Sequence, residues 1–454
     1  MLTRFCLSLA LFAAMPAWSQ VETSTTEATT NSATTNSASE APMKTPPPVS
    51  GSAYPITVGT ETRSNYLYAG VILNTAYNDN VLAGTSTTPV SDISYSIRPT
   101  ITLDQTTLRL HDTLTYSPGF TFYRNTTSLN EADQVLALNF QYRLSPHITV
   151  SVQDSFRKSS NVFNQFDSLA GSSISGSAQS SLVPIVAPIA DQLNNVANTE
   201  LTYQFGRNDM IGASGTFTNL HYLDPNQVPG LSDSNSRGGA LFYTHRLSTT
   251  RYFGATYQYS YFSGSSPSAQ NPAQSETQTQ TIFPFFTIYL NPSLSFSLSG
   301  GPQYYKDSVS SLPTSSSWKP AAMASMGWQG SRASFAASYS QLVSGGGGLL
   351  GTYYSHNASG SIRWQLARTW TIGPSSTYSI NKNVNQAMSL SNPGGHMISG
   401  TVSAQHSIGG RLTLDVGYMH LHQSYASIAV IASAPDTNRE YISFSYQFAR
   451  PLGR

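Results

Sequence analysis

From residue 63 onward, apolar and polar residues alternate along most of the chain in short segments. In the segment nearest the carboxyl terminus, Ile442, Phe444, Tyr446 and Phe448 are separated by serine and glutamine residues. The same alternation recurs in other segments, among them residues 136–143, 201–205, 257–261 and 293–299. A period of two places the two residue types on opposite faces of a β-strand. The pattern therefore predicts an all-β protein.

The polar face of these segments carries Ser, Thr, Gln, Asn and Gly instead of the Lys and Glu that usually cover soluble proteins. Only 10% of the 454 residues are charged, against about 25% in an average soluble domain. This composition favours an inverted arrangement, with apolar side chains facing lipid and small polar side chains lining a wet interior. Tyr and Phe are concentrated at segment ends, where membrane barrels carry aromatic girdles. The pattern therefore predicts a transmembrane antiparallel barrel, with a soluble β-sandwich or propeller as the rival fold.

Turn-forming residues divide the pattern into strands. Eight short turns alternate with nine longer Gly-, Ser-, Asn- and Pro-rich stretches, which gives about eighteen strands, with sixteen as the lower bound. The 392 residues from position 63 to 454 supply enough chain for this number of tilted spanning strands of about 9–11 residues with their connections. An even strand number leaves both chain ends on the periplasmic side, with the short turns. We expect an up-and-down barrel over residues 63–454.

The amino-terminal region has a different composition. Residues 1–19 combine Arg4, a short apolar core and the small residues Ala17 and Ser19, a pattern typical of a secretory signal peptide. The only cysteine, Cys6, lies inside it, so the mature chain has no thiol to oxidise in an oxidising compartment. Residues 20–62 are rich in Ser, Thr and Pro and predict a disordered periplasmic linker.

Two carboxylates break the alternation. Asp112 and Asp154 fall on the apolar face of their segments, where a lipid-facing charge destabilises a barrel. We expect a β-bulge to turn each of them inward. The alternatives are that they face a neighbouring subunit and that the assignment of the two faces is locally wrong.

Two short motifs carry a family resemblance. Residues 76–81 read Ala-Tyr-Asn-Asp-Asn-Val, which is similar to a Tyr-x-Asp-Asn-Val signature, and residues 445–448 form an aromatic final strand. On these motifs the chain resembles the outer-membrane β-barrel porins found with exopolysaccharide export systems of Gram-negative bacteria. The resemblance implies a passive channel that works beside a periplasmic or inner-membrane export partner. It also implies insertion by the barrel assembly machinery, although six residues follow Phe448.

No motif predicts catalysis, a cofactor or a metal site. His111 and Asp112 are adjacent in a strand, so their side chains point to opposite faces. His420 and His422 share a face, but at the rim of a barrel such residues serve more often as interfacial polar groups than as metal ligands. The run 345–348 of four glycines lacks the Lys-Ser/Thr of a phosphate loop and predicts a flexible extracellular loop.

The longest predicted loop, residues 160–194, has an apolar, proline-containing centre. A loop of this length is usually functional or disordered. We expect it to fold into the barrel and narrow or plug it, with an extracellular flap as the alternative. The candidate plug residues are Leu182, Val183, Pro184, Ile185, Val186, Pro188 and Ile189.

The inward face of the predicted strands is mostly neutral. Amides and hydroxyls suit a polyhydroxylated cargo such as a sugar, whereas strong ion selection needs rings of one charge sign. The alternative is that these residues only keep the interior hydrated. The candidate lumen-lining residues are Arg109, His111, Asn139, Gln141, Arg143, Gln153, Gln204, Gln258, Arg363, Gln365, Gln405 and Asp415.

The sequence therefore predicts a porin-like conduit in the outer membrane, for exopolysaccharide or oligosaccharide export, without a cofactor or a covalent step. A net charge of +1 excludes an electrostatic footprint for nucleic acid. The expected partners are outer-membrane lipid, the assembly machinery, and polysaccharide with its periplasmic export partner. The alternatives are a structural or adhesive surface protein with a closed barrel and an outer-membrane hydrolase.

Overall fold

The computed structural model describes residues 64–82, 88–159, 191–223, 230–266, 273–291, 293–310, 312–385, 394–425 and 436–452. The predicted signal peptide (1–19), the linker (20–62) and the apolar centre of the longest loop (182–189) lie outside these ranges.

Eighteen β-strands make up the fold. Their bounds are β1 Ser64–Asn78, β2 Asp92–Thr106, β3 Leu110–Tyr123, β4 Glu131–Ser145, β5 Ile148–Ser159, β6 Gln192–Gln204, β7 Asp209–Tyr222, β8 Asp233–Ser248, β9 Arg251–Ser265, β10 Gln274–Asn291, β11 Leu294–Val309, β12 Ser315–Gln329, β13 Ala333–Gly345, β14 Thr352–Ala367, β15 Trp370–Asn383, β16 Gly394–Ile408, β17 Leu412–Tyr425 and β18 Asp436–Pro451. One 3₁₀ turn, Thr127–Leu129, precedes β4. Within the described ranges no helix is long and apolar enough to cross a membrane.

Each strand pairs antiparallel with its neighbours in the chain, and β1 pairs with β18 to close the sheet. The predicted fold is confirmed as a closed antiparallel all-β barrel of eighteen strands. Eight short connections lie at one end of the barrel, the turn end, and nine longer connections lie at the other, the loop end. The period-two pattern was sufficient for this prediction because a closed barrel gives every strand two different faces.

The two faces of the wall differ as the alternation requires. On β9, Tyr257 and Tyr259 are exposed on the outside, whereas Thr256 and Ser260 are buried on the inside. Most other strands repeat this arrangement, so the exterior carries most of the large exposed apolar side chains and the interior carries most of the buried hydroxyls and amides. The exterior is therefore a surface suited to hydrocarbon.

The bulges expected at Asp112 and Asp154 do not occur. The β3–β4 ladder runs without a shift past Asp112, which lies opposite Phe140. The β4–β5 and β5–β6 ladders run without a shift past Asp154, which lies opposite Leu138 and Ala197. The bulge prediction is wrong, because both carboxylates stay on the outer face. A polar residue at an apolar position of the alternation did not shift the register of the strand.

Residues of the Tyr-Asn-Asp-Asn-Val motif hold the seam between the first and last strands. The Asp79 carboxylate accepts hydrogen bonds from the Asn438 backbone N–H at 2.8 Å and from its side-chain amide at 2.5 Å. The Asn80 amide donates to the Asp436 carbonyl at 3.1 Å. These contacts continue the closure of the barrel beyond the last strand pair, Asn78 opposite Arg439.

Candidate functional site

The structure places most of the predicted lumen residues on the inward face. His111, for example, bonds through Nδ1 to the inward Thr106 hydroxyl at 2.8 Å. Arg109 lies in the turn between β2 and β3, at the rim of the turn end. The register puts the remaining residues on inward positions of their strands: Asn139, Gln141, Arg143, Gln153, Gln204, Gln258, Arg363, Gln365, Gln405 and Asp415.

Inward charges of both signs are mixed in the wall. Arg98 and Asp133 are both buried and form an ion pair of 3.2 Å between Nη2 and Oδ2. Gln405 and Asp415 lie opposite each other on β16 and β17. Inward arginines and inward carboxylates therefore both occur around the described wall, which is not the one-sign ring of an ion-selective pore.

The glycine-rich connection between β13 and β14 differs from the prediction of a flexible outer loop. Leu342 and Val343, at the end of β13, are buried, and so are Leu349 in the connection and Tyr353 at the start of β14. The structure therefore corrects the prediction: the tip of this hairpin, residues 342–355, is folded into the barrel.

Gln303 on β11 clamps this inward hairpin tip. Its amide nitrogen donates to the Val343 carbonyl at 3.1 Å, and its amide oxygen accepts from the Val343 backbone N–H at 2.7 Å. The Ser232 backbone N–H donates to the Gly348 carbonyl at 2.8 Å, and the Gly351 backbone N–H donates to Ser275 Oγ at 3.3 Å. The tip is thus bound to β10, to β11 and to the residue that precedes β8.

Asp307 supplies a second anchor. Its carboxylate is completely buried. Oδ1 accepts hydrogen bonds from Thr277 Oγ1 at 3.2 Å and from Thr352 Oγ1 at 2.5 Å, and Oδ2 accepts one from Asn385 Nδ2 at 3.0 Å. This anchor therefore ties the root of the hairpin tip, at Thr352, to β10 and β11.

Glycine is required where the tip meets Tyr222, at the end of β7. Gly348 has a φ of +111°, and a Cβ there would lie 2.6 Å from the Tyr222 hydroxyl. Tyr222 belongs to β7, six strands away from β13 in the sheet order. The hairpin tip therefore extends inside the barrel as far as β7, one third of the way round the sheet, and only a residue without a side chain fits at this point of contact.

Sequence reasoning missed this site. Gly345 to Gly348 were judged as an isolated run, whereas the informative feature was the pairs Leu342-Val343 and Leu349-Leu350 on either side. Apolar residues that flank a glycine run are out of place in a loop that dangles in water. The contacts to Gln303, Ser232 and Asp307 are distant in sequence, and no local pattern predicts them.

The histidines considered for metal binding are occupied by neighbouring polar groups. His420 Nδ1 bonds to Asn438 Oδ1 at 2.8 Å, and His422 Nδ1 bonds to Asp436 Oδ1 at 2.8 Å. Within the part of the chain that the structure describes, no group of three or more His, Cys, Asp or Glu side chains is arranged to hold a metal ion.

Comparisons with known proteins find similarity only at the level of solved structures. No protein-family model and no curated protein matches the chain. The unliganded ferric citrate transporter FecA is 11% identical, with a TM-score of 0.42 over 81% of this chain and 61% of FecA. The chain thus spans about three fifths of FecA. OpdK of Pseudomonas aeruginosa is 8% identical, with a TM-score of 0.40 over 85% of this chain and 99% of OpdK. The ferric-catecholate receptor Fiu of E. coli K12 is 8% identical, with a TM-score of 0.41 over 84% and 81%. Similarity this low carries no argument about the function of this chain.

Proposed function

We propose that the chain is an outer-membrane channel for neutral, polyhydroxylated cargo, with exopolysaccharide or oligosaccharide export as the leading case. The observation that carries the proposal is the inverted wall of a closed barrel, apolar outside and rich in hydroxyls and amides inside. An apolar exterior of this kind belongs in hydrocarbon.

The location in the outer membrane follows from the same features and from the predicted signal peptide. Exported barrels have short periplasmic turns and long extracellular loops, so the turn end faces the periplasm in this proposal. Outer-membrane lipid and the barrel assembly machinery are then necessary partners. A periplasmic export partner would meet the turn end, where both chain termini of the barrel lie.

The proposed cargo class rests on inward amides that are exposed. On β4, Asn139 and Gln141 occupy inward positions and are exposed. An amide group both donates and accepts hydrogen bonds, so it can pair with the hydroxyl groups of a sugar. Neutral polar groups that line the lumen can replace hydrogen bonds to water by hydrogen bonds to a glycan with little change in free energy. They do not hold a charged ligand in place.

The hairpin tip favours a second candidate as well. A tip bound across the interior narrows the barrel, and a barrel that is completely shut would be a structural or adhesive surface protein. The hydrolase alternative predicts release of fatty acid or ester product by the purified protein. Neither alternative predicts conductance.

The test is single-channel recording of the mature chain in planar bilayers, with linear maltodextrins of increasing length added to one side. The proposal predicts ion conductance that sugars reduce reversibly, because each bound sugar excludes ions from the narrowed lumen. A matched control is a small sugar alcohol at equal osmolality, which changes solution conductivity without occupying the whole path. The absence of any conductance would overturn the proposal in favour of a closed barrel.

A further inference from the structure

The ladder between β12 and β13 is the shortest between neighbouring strands of the described barrel. It has eight residue pairs, from Ala322 opposite Gln341 to Gln329 opposite Ser334. Beyond Ala322, β12 continues as Ser315–Ala321 with its ladder to β11 intact. No described strand is paired with this stretch on its other side, because β13 turns inward with the hairpin tip at Leu342. The wall is therefore broken toward the loop end.

The break begins midway along the wall. Ala322 lies near the middle of β12, and Trp318, farther toward the loop end, is exposed on the outside and packs against Tyr304 with ring centroids 5.3 Å apart. Exposed aromatic residues of this kind mark the membrane interface. With the loop end outward, the break opens between Ala322 and the level of Trp318, in the outer leaflet.

Apolar side chains line the interior at the same place. Phe283, Ala321, Met323 and Leu342 are all buried and form one apolar cluster. They occupy inward positions that elsewhere on β10, β12 and β13 carry threonine or serine, for example Thr281. The inner side of the break is therefore packed with apolar side chains, an environment that an apolar chain enters more favourably than water.

One side chain closes the break. The Tyr354 hydroxyl donates to the Pro320 carbonyl at 2.8 Å and is in contact with the Gln341 amide nitrogen. The Lys319 ammonium lies 5.8 Å from the centre of the Tyr354 ring. Pro320 has no N–H to offer a neighbouring strand, so a tyrosine hydroxyl takes the place of a ladder at its carbonyl. A latch of one hydrogen bond opens far more readily than a strand ladder.

We propose that the break between β12 and β14 is a lateral portal, through which the apolar chain of an amphiphilic molecule passes between the barrel interior and the surrounding lipid. Inside, the apolar cluster receives the chain, and the Tyr354 latch holds the portal shut in the absence of cargo. The inference rests on the location of the barrel in a membrane, which is part of the proposed function. It does not rest on a glycan cargo.

A strand of another protein is the other occupant that an unpaired edge suggests. The residues at the break argue against it. Pro320 removes a hydrogen-bond donor from the edge. The inner side of the break is the apolar cluster, which could contact an acyl chain but offers no backbone hydrogen bonds to an added strand. The portal therefore fits an amphiphile better than a partner chain.

The test places the mature chain in liposomes that contain a trace of phospholipid with a diazirine on its acyl chain. After irradiation, peptide mapping compares labelling at Met323 and Leu342 with labelling at Met419 and Leu421. The second pair is a matched control, because it is also buried and inward but lies behind the uninterrupted β16–β17 ladder. The portal predicts preferential labelling of the first pair.

Two variants sharpen the result. Tyr354→Phe removes the latch hydroxyl and keeps the ring, and it should raise labelling about fivefold, the effect of one lost hydrogen bond. Pro320→Cys with Tyr354→Cys, joined by a bismaleimide, should reduce labelling to the level of the control pair, whereas each single cysteine variant should not. Boiling-dependent mobility on detergent gels verifies that every variant is folded.

Equal labelling of the two pairs, in the native chain and in Tyr354→Phe, would overturn the portal. Disulfides between Trp318→Cys residues of two copies would also overturn it, because they would assign the edge to strand pairing. Flotation of the chain with the liposomes separates these outcomes from a failure of membrane insertion. Preferential labelling without sugar block in the bilayer experiment would leave the portal standing and would overturn the glycan conduit.

Discussion

Two junctions between neighbouring strands of the barrel differ in how completely they are hydrogen-bonded. The seam between β1 and β18 joins the two ends of the barrel, and it is paired over its length and extended by Asp79 and Asn80. The junction between β12 and β13 joins strands that a short turn connects, yet half of it is open. Proximity in sequence therefore does not decide where neighbouring strands are hydrogen-bonded along their full length.

The difference lies in what each strand gains by leaving the wall. β13 exchanges the end of its ladder for the Gln303 clamp and for burial of Leu342 and Val343. β18 stays in the wall to its end, where its inward residues Thr437 and Arg439 are buried within the β17–β18 ladder. A ladder is given up only where side chains on distant strands replace its hydrogen bonds.

The largest effect is expected from removing the hairpin tip. Replacement of residues 343–354 by a two-residue Asn-Gly turn takes away the segment that crosses the interior, and an eighteen-stranded barrel without it is wide enough for an aqueous channel. Single-channel conductance should rise severalfold. Replacement of residues 311–314, in the connection between β11 and β12, by the same turn is the matched control and should leave conductance unchanged, because the ladder between these two strands is continuous. An unchanged conductance after removal of the tip would show that the tip does not limit the path.

At the seam, the expected change is in stability. Asp79→Ala removes the acceptor of two hydrogen bonds from Asn438, which should lower the free energy of unfolding by about 1–3 kcal/mol. Asp79→Asn keeps one acceptor oxygen and should lose less. Urea titration followed by gel mobility measures both variants. Conductance should stay at the native value. A change in conductance with unchanged stability would reverse the roles assigned to the seam and the tip.

Much of the fold was predictable from sequence because it depends on a local rule. Each strand repeats an alternation that its own residues define, as in Ile442 to Phe448, and turns interrupt it at regular intervals. The strand number and the closed topology follow from counting. Nothing in that reasoning needs the position of any other strand.

The inward tip was not predictable in the same way. Its position depends on Gln303, Asp307 and Ser232, which precede it by tens of residues and become neighbours only after closure. The expected bulges failed for a related reason. Asp154 kept its outward position because the ladders on both sides of β5 outweigh the preference of one side chain.

The smallest effect is expected on the outer face of a wall that is paired on both sides. Asp154 lies midway along β5, faces outward and accepts a hydrogen bond from the Asn195 amide at 3.2 Å. Replacing both partners by apolar residues removes a polar pair from hydrocarbon. Asp154→Val with Asn195→Val should therefore raise the free energy of unfolding by about 1 kcal/mol, since a lipid-facing carboxylate costs less than the 2–4 kcal/mol of a cation.

Two further variants decide what this face meets. Asp112→Val should stabilise the barrel less, because Asp112 lies near the turn end and the cost of a lipid-facing charge falls toward the interface. Asn195→Val alone should destabilise it, because it leaves the Asp154 carboxylate without its donor. If the double variant is instead less stable than the native chain, and a higher oligomer disappears on native gels, Asp154 packs against a neighbouring subunit. In that case the intact wall around β5 would be an interface, and the open junction beside β12 would be the face that meets lipid.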